Sequence, residues 1–333
     1  MRLRWVLVFF LFFSCSLYKT DNKEDVLFEV KRGESFSSVV KRLVDEKIIS
    51  HPRVFRLQAR LSGKSKNLKF GIYLIKKEET YSSVINKFYT GKSHSINITI
   101  PEGYNIFDIA NLLESKNLVK KEEFLKAIQD QELLDYAGVP KGHSLEGYLF
   151  PDSYSIPLNY SSKQIAKMMI SRFKEIVNEE VLKAIKKKNL TLNQVLTMAS
   201  IIQKEARFEH EMPIISGVYH NRIEKRYKLQ ADPTLIYALI LDGKYDGNIR
   251  KSHFEYESKY NTYKYYGLPP GPICNSGKAA ILAAIYPAKV DYLYFVAKPD
   301  GTHYFSKSLE EHNKAVYLYQ IIPAIERRKQ RSK

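Results

Sequence analysis

Residues 192–206, LNQVLTMASIIQKEA, place apolar side chains on nearly every face of a helix. Such a helix has no face to give to water, so other elements must wrap around it. That demands a large core. A chain of 333 residues, 44% hydrophobic and 27% charged, can supply one. The helix also ends on a carboxylate: Glu205 sits above Ile201 and Ile202, with Met198 one turn further back. A carboxyl beside Ile and Met side chains is poorly solvated, which favours its neutral form and raises its pKa. A carboxylic acid kept protonated near neutral pH can give its proton to a leaving oxygen, as in general-acid cleavage of a glycosidic bond. The competing reading leaves Glu205 in solvent at the helix end, or paired with Lys204, Arg207 or Arg222.

Ahead of this helix the chain resembles itself. Residues 30–49 and 98–119 share a layout that matches Val30 with Ile100, Gly33 with Gly103, Phe36 with Ile106, Val39 with Ile109, Leu43 with Leu113 and Ile48 with Leu118. A weaker copy starts at Ile75. Each copy reads as a strand end, a turn and an amphipathic helix. Gly33 and Gly103 suit the turn, where a positive φ is cheap, and Ser35 and Asn105 suit the helix N-cap. Units of this layout resemble LysM modules, which bind cell-wall glycan; a small α/β scaffold that binds nothing fits the pattern equally well. Residues 70–75 and 95–100 alternate as strands do, and 290–297 with 302–306 read as a hairpin across the turn KPDG. A new amphipathic helix near 119–123 marks a boundary, and a final helix runs from Leu309.

The formal net charge is +17, which suits a polyanionic partner, but the lysines are scattered and the only dense run is the tail ERRKQRSK. A solvated basic surface is the preferred reading. Two cysteines, Cys15 and Cys274, allow no disulfide framework, and no cluster has metal-ligand spacing. The N-terminus, MRLRWVLVFFLFFSCSLY, joins a basic flank to an apolar run. It fits a short membrane anchor, a cleaved signal, or a lipidated Cys15. Each puts the remainder outside the cytoplasm, at the cell (inner) membrane if the segment stays as a single-pass anchor, because the arginines stay inside. That argues against nucleic acid as partner.

Five segments in order, LEGYLFPDSY (145–154), ASIIQKEA (199–206), VYHNRI with LQADPTLIYAL (218–239), YNTYKYYGLPPGPICNSG (260–277) and AAIYPAKVDYLYFVA (283–297), closely resemble the endolytic murein transglycosylases, the MltG or YceG-like family. The resemblance runs from about 28 to 315. It implies an α+β fold: an N-terminal membrane anchor (1–18), a linker (19–26), a small LysM-like α/β region (27–120) and a larger mixed α+β catalytic domain (121–333). It also implies cleavage of nascent peptidoglycan between N-acetylmuramic acid and N-acetylglucosamine, with closure to a 1,6-anhydro end and one carboxyl serving as acid and then base. Glu205 is that residue by the resemblance. Glu146, Tyr148, Gln230, Asp232, Thr234, Asn261 and Tyr263 are its candidate substrate-binding partners, and His303, His312 and Asn313 match family positions read as structural. No metal or cofactor is expected; peptidoglycan synthases are the implied protein partners. The family's ASIVEKE-like segment carries two glutamates, and here the first is Gln203. At ~100° per residue Gln203 points roughly 160° away from Glu205, which keeps the catalytic reading and leaves a non-catalytic wall-binding scaffold as the alternative.

Overall fold

A computed structural model describes residues 18–331. They form two compact units, one reaching to Ile98 and including Tyr154–Tyr160, the other comprising Thr99–Ser153 and the chain from Ser161 onward. The expected anchor and Cys15 fall on residues 1–17, outside those described; among the described residues no helix is long and apolar enough to cross a membrane.

The first unit is built from the repeated layout. Strand β1 (Val26–Val30) leads to α1 (Phe36–Asp45), then α2 (Pro52–Leu61), β2 (Gly71–Ile75), α3 (Tyr81–Thr90) and β3 (Ser95–Thr99). β1 and β2 pair antiparallel from Val26↔Ile75 to Val30↔Gly71. The three copies turn in the same way. Gly33, Glu78 and Gly103 stand three residues after Val30, Ile75 and Ile100, and all have left-handed φ of 76°, 51° and 81°. Two residues further on, the side chains of Ser35, Thr80 and Asn105 accept backbone N–H groups from the helices they start. Phe28, Val39, Leu43, Phe55, Tyr73, Tyr81 and Phe88 fill the core between sheet and helices. The expected linker at 19–26 is not free. Thr20 N–H donates to Glu79 O at 2.8 Å and Asp21 N–H to Ile48 O at 2.9 Å, so this polar stretch spends its backbone on the unit.

The chain continues through α4 (Ile106–Ser115), α5 (Lys121–Ala127) and α6 (Gln131–Ala137) of the second unit, returns to the first for β4 (Ser153–Pro157, bonded to β3), and then builds the second unit with α7 (Ser162–Ile176), α8 (Glu179–Lys187) and α9 (Leu192–Glu205). The two units part at Ile98, not near 120, so the second full repeat contributes α4 to the larger unit. α9 is the helix that needed a core. Val195 to Ile202 are buried without interruption, and its closest partner is α12 (Lys278–Ile285), whose Ala280, Ala283 and Ala284 let the axes approach. Between them run α10 (Met212–Glu224) and α11 (Asp232–Leu241). The chain closes with an antiparallel hairpin, β5 (Tyr294–Ala297) and β6 (His303–Ser306), then α13 (Leu309–Val316), a π turn (Tyr317–Ile321) and α14 (Ile322–Arg331). Ile322 N–H reaches back to Tyr317 O across that wider turn, just ahead of Pro323, which has no N–H for the usual ladder.

α4 starts with a reciprocal capping box between Asn105 and Asp108. Asn105→Ala should lower the stability of the second unit by about 1 kcal/mol, read as a lower urea midpoint at unchanged slope. An unmoved midpoint would show that the box contributes nothing.

Candidate active site

α9 ends abruptly at Glu205, because Ala206 turns extended at ψ 127°. The break leaves the Glu205 carboxyl on the floor of a cleft of about 500 Å³ within the second unit. α10 forms one wall. Gly217 lets it lie against the backbone at Ala288, where an added Cβ would come within 2.6 Å of the carbonyl oxygen. Asn221 then donates to Val290 O and Tyr292 O at 2.7 and 2.9 Å, and Arg222 to Leu293 O and Leu229 O, both at 2.7 Å. These bonds fix the hairpin, whose Phe295, Val296 and Ala297 form the next wall; His312, Val316 and Gln320, spaced four apart on the terminal helix, close the end.

Tyr219, 2% exposed, donates its hydroxyl to Glu205 Oε1 at 3.0 Å. Burial holds the Tyr219 proton far above its ordinary range, so in this pair Tyr219 is the donor. Burial is also the largest influence on Glu205 and pushes its carboxyl up to about 7. The Tyr219 hydrogen bond and, more weakly, the Arg222 charge pull it down; the Asp232 charge pushes it up. The cationic partners weighed for Glu205 are engaged elsewhere. Arg222 is spent on backbone carbonyls, Lys204 donates to Gly103 O at 3.3 Å, and Arg207 lies over the Phe208 ring. Glu205 is half-buried, with its remaining surface facing the cleft.

Of the candidate binding residues, Gln230, Asp232 and Tyr263 line this cleft with Glu205. Gln230 holds a left-handed φ of 52°, uncommon for a side chain of its size, and its N–H donates to Thr262 O. Tyr263 donates its hydroxyl to Asp232. Glu146, Tyr148, Thr234 and Asn261 are placed otherwise: all four are buried away from the cleft. Glu146, 1% exposed, accepts from Ile106 N–H, Tyr237 Oη and Asn275 Nδ2 at 3.1, 2.9 and 3.0 Å. Tyr148 packs on Phe173. Thr234 bonds Ala231 O and Thr262 behind the Gln230 bend, and Asn261 accepts from Tyr263 N–H while donating to Phe254 O and Tyr256 O. Thr234 and Asn261 brace the wall that Gln230 and Tyr263 present.

Sequence reasoning passed over three contributors. Tyr219 lies inside VYHNRI but was not singled out. His303 and His312, read as structural, both line the cleft. His303 is held by Glu211 through its ring Nδ1 and its backbone N–H, both at 2.9 Å. The available signal was position: His303 stands opposite Ala297 in the hairpin register, and Ala297 faces the cleft.

Gln203 lies outside the cleft, as the helical angle requires. Its Oε1 accepts Gly277 N–H at 3.0 Å and its amide bonds Glu102, whose carboxyl is itself raised by burial. A carboxylate here would face a second carboxylate.

A family model described as the YceG-like family matches residues 28–317. A Bacillus subtilis (strain 168) protein named endolytic murein transglycosylase is 33% identical over 316 residues, 90% of this chain and 86% of its own length. A Streptococcus pneumoniae (D39) protein of the same name is 28% identical over 89% of this chain, which spans only 58% of that protein. The crystal structure of the yceG-like protein lmo1499 from Listeria monocytogenes, 34% identical, covers 88% of this chain and 100% of its own, with a TM-score of 0.60.

Gln203→Glu should destabilise the second unit by about 1–3 kcal/mol at pH 8. The sign follows from linkage. Two facing carboxyls have folded pKa values raised above their unfolded ones, so stability is present at low pH and lost as pH rises. Urea midpoints at pH 5 and pH 8 should therefore show the larger loss at pH 8; equal losses would contradict the facing-carboxylate geometry.

Proposed function

Because the chain belongs to the YceG-like family, we propose that it is a membrane-associated lytic transglycosylase that cuts peptidoglycan glycan strands internally, with Glu205 as the catalytic acid and base. Glu205 gives its proton to the bridging oxygen as the bond from the muramic acid anomeric carbon to that oxygen breaks, its electron pair leaving with the oxygen. The muramic acid 6-hydroxyl then bonds to the anomeric carbon, and the Glu205 carboxylate takes the hydroxyl proton. The product ends in 1,6-anhydro-muramic acid, and Glu205 is protonated again. One carboxyl suffices for both steps because no water has to be activated on the far face of the sugar.

The observation that carries this reading is the raised Glu205 carboxyl, bonded to Tyr219 and open to the cleft. Tyr219 holds the carboxyl in one orientation. Burial, helped by the Asp232 charge, favours its protonated form, and Asp232 adds negative charge where positive charge develops on the sugar. In this proposal Gln230 and the Tyr263 ring contact the N-acetyl and hydroxyl groups. The strand–turn–helix unit grips neighbouring glycan, the N-terminal segment keeps the catalytic part outside the cytoplasm at the membrane, and strand-elongating synthases are the protein partners.

Digestion of purified peptidoglycan with the full chain should release anhydro-ended fragments, and Glu205→Gln should cut the rate by about 10²–10⁴-fold. Reducing-end fragments would replace ring closure by hydrolysis. A fully active Glu205→Gln would remove Glu205 from the chemistry, and sacculus binding without cleavage would leave a scaffold. An acid that must be protonated loses activity as it ionises, so kcat/KM should fall as pH rises through about 7. In Tyr219→Phe the ionised carboxylate loses a hydrogen bond, its pKa rises, and this alkaline limb should move to higher pH. An unmoved limb would assign it to another group.

A further inference from the structure

The terminal helix has a second face that the cleft does not use. His312, Val316 and Gln320 point into the cleft, whereas Tyr317, Leu318, Ile321 and Ile325 are 56, 53, 43 and 45% exposed. Their spacing puts these four large apolar side chains on one stripe about two turns long. Within the same helix the sequence then becomes strongly basic, with Arg327, Arg328, Lys329 and Arg331 against the single acid Glu326.

We propose that this stripe and the basic run together form a binding surface for an anionic lipid bilayer, with the helix lying in the plane of the headgroups. Large apolar side chains on one face, an aromatic among them, and Lys and Arg beside them are what an interfacial helix requires. The apolar stripe enters the boundary between headgroups and acyl chains, and the positive charge of the basic sequence from Arg327 onward draws the helix to an anionic surface. A protein partner fits less well, because four exposed side chains fall far short of the 20–30 residues that a stable interface engages on each side. A second copy would also bring its basic run against this one. The proposal does not depend on the glycan chemistry, because none of these side chains lines the cleft.

The test uses the full chain with nanodiscs of neutral phosphatidylcholine or of phosphatidylcholine containing phosphatidylglycerol, read by hydrogen exchange across residues 309–331. Protection of the 317–327 amides should arise with the anionic discs and not with the neutral ones. Each cation near an anionic surface strengthens association about fivefold, so neutralising Arg327, Arg328 and Lys329 to Gln should cut that protection by on the order of a hundredfold. The triple change Leu318→Glu, Ile321→Glu and Ile325→Glu should abolish it while leaving murein cleavage intact. Equal exchange with both lipids, or protection that survives neutralisation, would overturn the proposal. So would protection that rises with protein concentration in the absence of lipid, which would assign the face to a second copy.

Discussion

The burial of one carboxyl at the end of an apolar helix is the constraint on which the rest of this structure turns. α9 is surrounded, so Glu205 meets water only through the cleft, and its charged form is held at a cost. The protein neither cancels that cost with a cation nor removes it by exposure. Among the described residues it sets one neutral donor, Tyr219, on one oxygen and leaves open space beside the group. The Tyr219 bond favours the ionised form and burial with Asp232 favours the neutral one, and the balance falls near neutral pH. A carboxyl poised there can both release and recover a proton, which a group fixed by a salt bridge cannot do.

The scaffold around it serves that balance. Asn221 and Arg222 fasten α10 to the irregular stretch 290–293 that leads into the hairpin, so the wall bearing Tyr219 and the wall bearing Phe295 are one braced piece. Spending Arg222 on carbonyl groups keeps a positive charge close enough to moderate Glu205 without quenching it. On the other side, Thr234, Thr262 and Asn261 hold the bend that carries Gln230, Asp232 and Tyr263. Glu146 performs a similar service in the interior. Its carboxyl, raised to about 8 by burial, gathers donors from α4, α11 and the Asn275 loop into a single node.

What the sequence made legible was local. Periodicity and turn chemistry located the repeated helices, and Ser35 and Asn105 cap them because a cap depends only on the next three residues. The same geometry turned Gln203 away from Glu205. Segment boundaries were less legible: within the expected linker the backbone of Thr20 and Asp21 is tied to Glu79 and Ile48, which polarity cannot reveal. In the candidate site, polar identity did not distinguish a side chain facing the cleft from one facing the interior. Glu146, Tyr148, Thr234 and Asn261 therefore entered as binding candidates and lie buried. The contributors passed over depend on long-range closure. Glu211 and His303 meet across 92 residues, and only the fold brings His312 and Glu205 to one cleft.

The central claim is a statement about one proton, and a titration tests it most directly. With carbon-13 in the glutamate side chains, the Glu205 carboxyl can be assigned as the resonance missing from Glu205→Gln and followed across pH in the full chain. The account predicts a midpoint near 7. A midpoint at the ordinary value of 4.5 would show a solvated or ion-paired carboxylate, and the acid–base role of Glu205 would fall with it.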